Sequence, residues 1–187
     1  MRLETPRIPP LADADLVPEQ AAILATLGSP ASGFNIFRTL ARTPRALAAF
    51  LAWGMYVMSD ESSLTPRQRE IVILRVGYLC RSGYEFAQHV QIGLASGLSA
   101  EDIGRIKQGP EAGWTSLDGA LIAMCDDLVA GHFVTDTTWS RLRAELSEIA
   151  CMDAVYTAGQ YTQVSMFLNT FGVQLDAGLK HDSDLTA

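Results

Sequence analysis

The residues Ser82, Tyr84, Glu85 and His89 place a hydroxyl, a phenol, a carboxyl and an imidazole within eight positions, and Cys80 stands just ahead of them. On one helix Ser82, Glu85 and His89 share a face, because their offsets are three and seven. Glu85 and His89 are four apart and can approach each other. A carboxylate beside an imidazole raises the imidazole pKa and fixes which nitrogen carries the proton. General acid or base catalysis near neutral pH needs that. Glu70 precedes them in "RQREIVILRVGYL", against Ile71, Val72, Ile73 and Leu74. If it points inward, burial raises its pKa unless a cation or donor compensates, and a proton relay results. The plain alternatives are a surface Glu85/His89 pair, a solvated first-turn Glu70 and a half-buried packing role for Tyr84.

The thiols and imidazoles carry less. Cys80, Cys125 and Cys151 are widely spaced and odd in number, which argues against a disulfide framework or a Cys-rich zinc site. Cys80 ends an apolar helix, where cysteine is a small core residue. It becomes reactive only if its pKa is lowered, and Arg81 beside it supplies one positive charge. None of His89, His132 and His181 is paired with another at helical spacing, so no metal site is expected. His132 follows Gly131 at a helix end, where bonding to the last carbonyls is the expectation. His181 lies in a polar tail.

Helices must position these groups, and nearly every boundary signal is a helix signal. Residues 1–15 are Pro-rich and read as an extended arm. Pro18 opens a helix that Gly28 ends, and Phe34 to Ala41 reads as a short helical turn. Thr43-Pro44 and Thr65-Pro66 both place a cap before Pro at the first helical position, and Gln68 completes a capping box at the second. These helices should reach Met58 and Leu79. Arg81-Ser82-Gly83 interrupts the path before a helix from Tyr84 to Ala95. Further starts fall at Ser99, at Thr115 or Ser116, at Thr135 and at Ser147, with stops at Gly131 and Gly172. "KQGPEAGWTS" reads as a linker between halves. Period-two alternation is absent. The fold class is all-α, with seven or eight helices.

The chain has 187 residues and a net charge of −7 with no basic tract, which speaks against nucleic-acid binding. Its longest apolar run, Ala46 to Met58, is too short to span a bilayer, for which about 18 residues are needed. The N-terminus has neither signal-peptide nor transit-peptide character, so the expected location is cytoplasmic. The Ala46–Met58 helix has few polar faces, which suggests burial against other helices or another subunit.

The stretch "LTPRQREIVILRVGYLCRSGYEFAQHVQIGLASGLSAEDIGRI", Leu64 to Ile106, resembles the core of the carboxymuconolactone decarboxylase family. That family shares the fold of alkylhydroperoxidase D. Weaker similarity extends over 34–175, and the whole of 1–187 is read as one such domain behind the N-terminal arm. The resemblance implies an alkylhydroperoxidase D-like helical bundle with its pocket between helices, and a homo-oligomer, a trimer or hexamer. The peroxidase branch carries a Glu, then C-x-x-C, then a His. With Glu70 and His89 on the outer two, the cysteine positions fall on Ser82 and Glu85. Disulfide-based peroxide reduction needs an attacking thiolate and a resolving partner, and that pair is missing.

The decarboxylase branch implies a cofactor-free enzyme acting on a small unsaturated lactone or carbonyl carboxylic acid. Loss of CO₂ leaves a dienolate that must be stabilised and protonated. His89 is then the proton donor, Glu85 orients and tunes it, and Glu70 completes the relay. Ser82, Tyr84 and Cys80 could support them. Arg38, Arg42, Arg75 and Arg81 are the candidates to anchor a substrate carboxylate. The alternatives are a thiol-dependent antioxidant protein using Cys80 and a non-catalytic oligomeric scaffold. The substrate and the reaction stay open at this point.

Overall fold

A computed structural model describes residues 2–185. Among the described residues the chain is all-helical, as the boundary signals imply. Nine α-helices follow one another: α1 (Pro18–Ala25), α2 (Asn35–Leu40), α3 (Pro44–Met58), α4 (Pro66–Leu79), α5 (Gly83–Ala95), α6 (Ala100–Gln108), α7 (Ser116–Gly131), α8 (Asp136–Glu145) and α9 (Glu148–Phe171). The count exceeds the expected seven or eight because the short turn after Phe34 closes into a full helix, α2.

Local chemistry sets most boundaries. Thr65 accepts from the Gln68 amide and Gln68 reaches back to the Thr65 N–H, the capping box expected from sequence. The side chains of Ser99, Thr115, Thr135 and Ser147 accept from the backbone N–H three residues on and so cap α6 to α9, and Ser99 with Asp102 closes a full box. Thr43 departs from the pattern. Its hydroxyl turns back to donate to the Leu40 carbonyl at 3.3 Å, and α3 begins at Pro44 without a side-chain cap. Gly172 ends α9 at φ +69°, where a Cβ would meet Leu3, Thr5 and Pro6 of the N-terminal arm.

Helix α4 is the axis of the molecule. It packs against α5, α6, α7 and α9, and every residue from Arg69 to Gly77 is buried. A helix that is buried on all sides has no solvent face to spend on charges. Its buried charged residues Arg69, Glu70 and Arg75 therefore need partners. Arg69 donates to the Val57 and Ser59 carbonyls and holds the end of α3. Arg75 forks onto Asp126 of α7 and also donates to the Ile106 and Lys107 carbonyls at the end of α6.

The segment expected to link two halves is instead a pinned loop. Trp114 Nε1 donates to the Gly109 carbonyl, Arg105 donates to that of Gly113, and the Arg105 guanidinium lies 4.4 Å over the Trp114 ring. Helices α4 and α7 pack directly on each other across it. His132 sits in the left-handed region at the end of α7, with Nδ1 3.2 Å from the Leu128 carbonyl, as expected for a helix-end histidine.

Candidate active site

Helix α4 carries Glu70 and α5 carries Glu85 and His89, and the turn between them brings their inner faces together. Cys80 ends α4, Arg81 adopts φ +52°, and the Ser82 N–H reaches back to the Gly77 carbonyl at 2.8 Å. This sharp reversal lets α5 run back along α4.

The imidazole Nδ1 of His89 lies 2.8 Å from Glu70 Oε2, a contact between residues 19 apart in sequence. Glu70 is 1% exposed and His89 is 9% exposed. With Glu70 as acceptor, Nδ1 holds the proton and Nε2, across the ring, is the nitrogen available for exchange. Nε2 has no hydrogen-bond partner among the described residues.

The expected local pairing of Glu85 with His89 does not occur. Glu85 Oε2 accepts from Ser165 Oγ of α9 at 3.0 Å, and its other oxygen is buried without a partner. Gly77 makes the space, since a Cβ there would lie 2.9 Å from Glu85 Oε1. Burial pushes the Glu85 carboxyl well above its ordinary 4.5, the Ser165 bond pulls the other way, and the nearby Glu70 charge raises it further. So α4 and α5 present two carboxyl groups in different settings: Glu70 faces the imidazole, and Glu85 is buried against Ser165.

The Glu85 environment has a measurable consequence. In the unfolded chain Glu85 ionises as the pH passes 4.5, whereas in the fold it keeps its proton to higher pH. The unfolded state then binds fewer protons, so stability falls as pH rises through this window. Glu85→Gln removes the effect. Its Tm relative to wild type is expected to rise between pH 5 and pH 8, by about 2–4 °C for each kcal/mol regained. A difference that is flat or falling over that range would contradict a proton held on Glu85.

His89 and Glu85 line a cavity of about 280 Å³ bounded by α2, α3, α5 and α9, with Phe34, Phe37, Phe50 and Val164 among its apolar walls. Tyr161 of α9 sets its ring edge-on to His89, centroids 4.9 Å apart. Burial pushes its phenol pKa well up, and the Glu70 and Glu85 charges add to that. Tyr84 lines the cavity too, but its hydroxyl is bonded to Asp176, as is the Gln88 amide. Burial first, and then Asp176, raise the Tyr84 phenol. Asp176 also accepts from the Asn35 N–H of α2 and so ties the chain after α9 over the cavity wall.

The other sequence-derived residues lie elsewhere. Among the described residues no arginine lines the cavity. Arg38 bonds Asp13 and the Leu11 carbonyl, and Arg42 bonds the Pro9 carbonyl, so they fasten the N-terminal arm to α2 and to the turn after it. Arg75 is committed to Asp126, and Arg81 lies exposed in the α4–α5 turn. Ser82 is fully buried and Cys80 is half-buried outside the cavity lining. Burial pushes the Cys80 thiol up, with Glu85 adding and a Ser165 hydrogen bond and Arg2 opposing. A thiol raised in this way is a poorer nucleophile source than an ordinary one. Among the described residues no group of three or more His, Cys, Asp or Glu side chains is placed to hold a metal ion.

Helix α9 supplies what sequence reading missed: Gln160, Tyr161 and Ser165, all buried. The available signal was periodicity. Thr157, Tyr161, Val164 and Leu168 form a helical core stripe, and Gln160 and Ser165 fall beside it, where a polar residue needs a reason. Both amide atoms of Gln160 are buried without a partner among the described residues. Each such orphaned group costs about 1–3 kcal/mol.

Fold and site together give an all-helical protein with a buried carboxyl–imidazole pair at an apolar cavity. Residues 44–124, from α3 to the middle of α7, match the model of the Carboxymuconolactone decarboxylase family. Comparison with curated proteins gives no match. Several solved structures are similar. A protein of unknown function from Agrobacterium tumefaciens, provisionally assigned to AhpD-type antioxidant defence, is 22% identical with a TM-score of 0.69, over 74% of this chain and 95% of that one. A cysteine-to-alanine variant of the debrominase Bmp8, in complex with 2,3,4-tribromopyrrole, is 12% identical with a TM-score of 0.76, over 93% and 94%. An uncharacterized peroxidase-related protein from Silicibacter sp. TM1040 is 14% identical with a TM-score of 0.74, over 94% and 92%. At these identities the likeness is one of fold. No helix of the described residues is long and apolar enough to cross a membrane.

Proposed function

We propose that the chain is a cofactor-independent enzyme that moves protons on a small, largely apolar carbonyl compound, a lyase or isomerase of the unsaturated-lactone type. The observation that carries this reading is the buried Glu70–His89 pair at 2.8 Å, with His89 lining an apolar cavity. Glu70 fixes the tautomer, so that Nε2 takes a proton from carbon beside the carbonyl or returns one. Glu85, whose carboxyl burial pushes well above its ordinary range, is the second proton carrier at the same cavity. The walls are apolar, and such low-dielectric surroundings strengthen each hydrogen bond to a developing enolate.

The thiol reading is weaker. Ser82 and Glu85 stand where a redox relative places cysteines, and Cys80 has a raised pKa. The scaffold reading does not account for a buried carboxyl–imidazole pair at an apolar cavity.

The test is proton exchange. A panel of unsaturated lactones and enolisable carbonyl acids is incubated in deuterated buffer and followed by NMR. Exchange beside the carbonyl is expected with wild type and not with His89→Ala. Equal exchange by both proteins on every compound would remove the acid–base reading.

A homo-oligomer forms part of the same proposal. Helix α3 buries only Leu47 and Val57 within the chain, and Ile149, Met152 and Tyr156 of α9 are more than half exposed. Contiguous exposed apolar surface of this kind marks an interaction site. Light scattering is expected to give a trimer or a multiple of it, and a monomer at micromolar concentration would exclude the assembly.

A further inference from the structure

We propose that Gln160 is the specificity-determining residue of this cavity, and that it selects an uncharged ligand presenting a hydrogen-bond acceptor next to a donor. The inference rests on the proposed acid–base reading for its placement in a reaction, but not for the binding itself.

Gln160 is 1% exposed, and neither Nε2 nor Oε1 has a partner among the described residues. It lines the same cavity as His89 and Glu85, one position before the Tyr161 that packs on His89. The space beside the amide is kept open by Gly54 of α3, where a Cβ would lie 3.6 Å from Gln160 Nε2. A buried carboxamide with both ends unpaired is a donor and an acceptor side by side, awaiting a complementary pair.

The other polar groups at the cavity are committed elsewhere or serve proton transfer. Tyr84 and Gln88 are bonded to Asp176, and one Glu85 oxygen is bonded to Ser165. No lysine or arginine lines the cavity. A carboxylate would enter apolar surroundings beside the Glu85 carboxyl with no lysine or arginine to meet it. A neutral ring with adjacent carbonyl and N–H or enolic O–H groups satisfies both ends of Gln160 at once.

This narrows the proposed chemistry to a proton shift rather than loss of CO₂. A C–H bond beside the carbonyl breaks, its proton passes to His89 Nε2, and its electron pair enters the conjugated carbonyl as a dienolate. The same proton then forms a C–H bond at the far end of the conjugated system. No atom or electron is gained or lost, and the Gln160 N–H donates to the oxygen where charge develops.

The experiment compares three bicyclic probes of similar size by calorimetry at pH 7.5. They are 2-quinolone (acceptor beside N–H donor), coumarin (the same ring with oxygen in place of N–H) and 2-naphthoate (an anion). Wild type is expected to bind 2-quinolone about tenfold more tightly than coumarin, as one buried hydrogen bond implies, and to bind 2-naphthoate most weakly. Gln160→Met, close in volume, is expected to erase the quinolone preference without lowering Tm. Gln160→Leu is the second variant, should the first fold poorly. His89→Ala is expected to keep the preference, which separates this inference from the acid–base reading. Tighter binding of 2-naphthoate than of 2-quinolone would overturn the proposal. So would an unchanged quinolone preference in the Gln160 variants.

Discussion

Replacing His89 with alanine is expected to slow deuterium exchange on an accepted carbonyl compound by about 10²–10⁴-fold, the usual worth of a positioned acid or base. Glu70→Gln is expected to cost a similar factor, by a different route. In the native pair Oε2 of Glu70 accepts from Nδ1, which leaves Nε2 free to take a proton. A glutamine amide can turn its N–H toward Nδ1 and stabilise the opposite tautomer, with the proton on Nε2. The imidazole is still present but carries its proton on the working nitrogen, and a wrong tautomer of this kind costs about 10⁴-fold in the serine-protease triad. Circular dichroism and Tm should report a folded protein in both cases. If Glu70→Gln exchanges at the wild-type rate while His89→Ala does not, Glu70 is a packing residue and the orientation argument falls.

Arg75→Met is expected to destabilise the fold by about 3 kcal/mol, within the range for breaking a buried ion pair on one side. For a chain of this length that corresponds to roughly 6–12 °C in Tm. Arg75 is 6% exposed and holds Asp126 through two nitrogens while satisfying two carbonyls at the end of α6. The methionine leaves all of them unpaired. Gly109, at φ +109°, packs within 3.2 Å of the guanidinium as seen from its Cβ position, so the loop after α6 is expected to loosen as well. Exchange activity per folded molecule should be unchanged, because Arg75 does not line the cavity. A stable variant with lost activity would return Arg75 to the role of substrate anchor.

The arginines mark one limit of reading a sequence. Arg38, Arg42 and Arg75 have the right chemistry for a carboxylate, yet each is used up by protein groups. Arginine serves backbone carbonyls, ion pairs and ligands with the same fork, so residue type does not decide among them. Gln160 marks the opposite limit. A glutamine in a long helix is ordinary, and only the burial of both its amide atoms makes it a binding group.

What the sequence determined by itself is local. The boundaries at Thr65, Ser99, Thr115, Thr135 and Ser147 follow from side chains that bond the backbone three residues on, and no distant contact is needed to predict them. The groups that the proposed chemistry uses were also legible, because Glu70, Glu85 and His89 stand out by type. Only the tertiary structure decided which carboxyl serves the imidazole. Helical spacing permitted Glu85 to meet His89. The approach of α4 put Glu70 on the ring instead, while Ser165 and the gap at Gly77 drew Glu85 to the other side. That choice depends on how helices far apart in sequence rotate against one another, and no local spacing rule contains it.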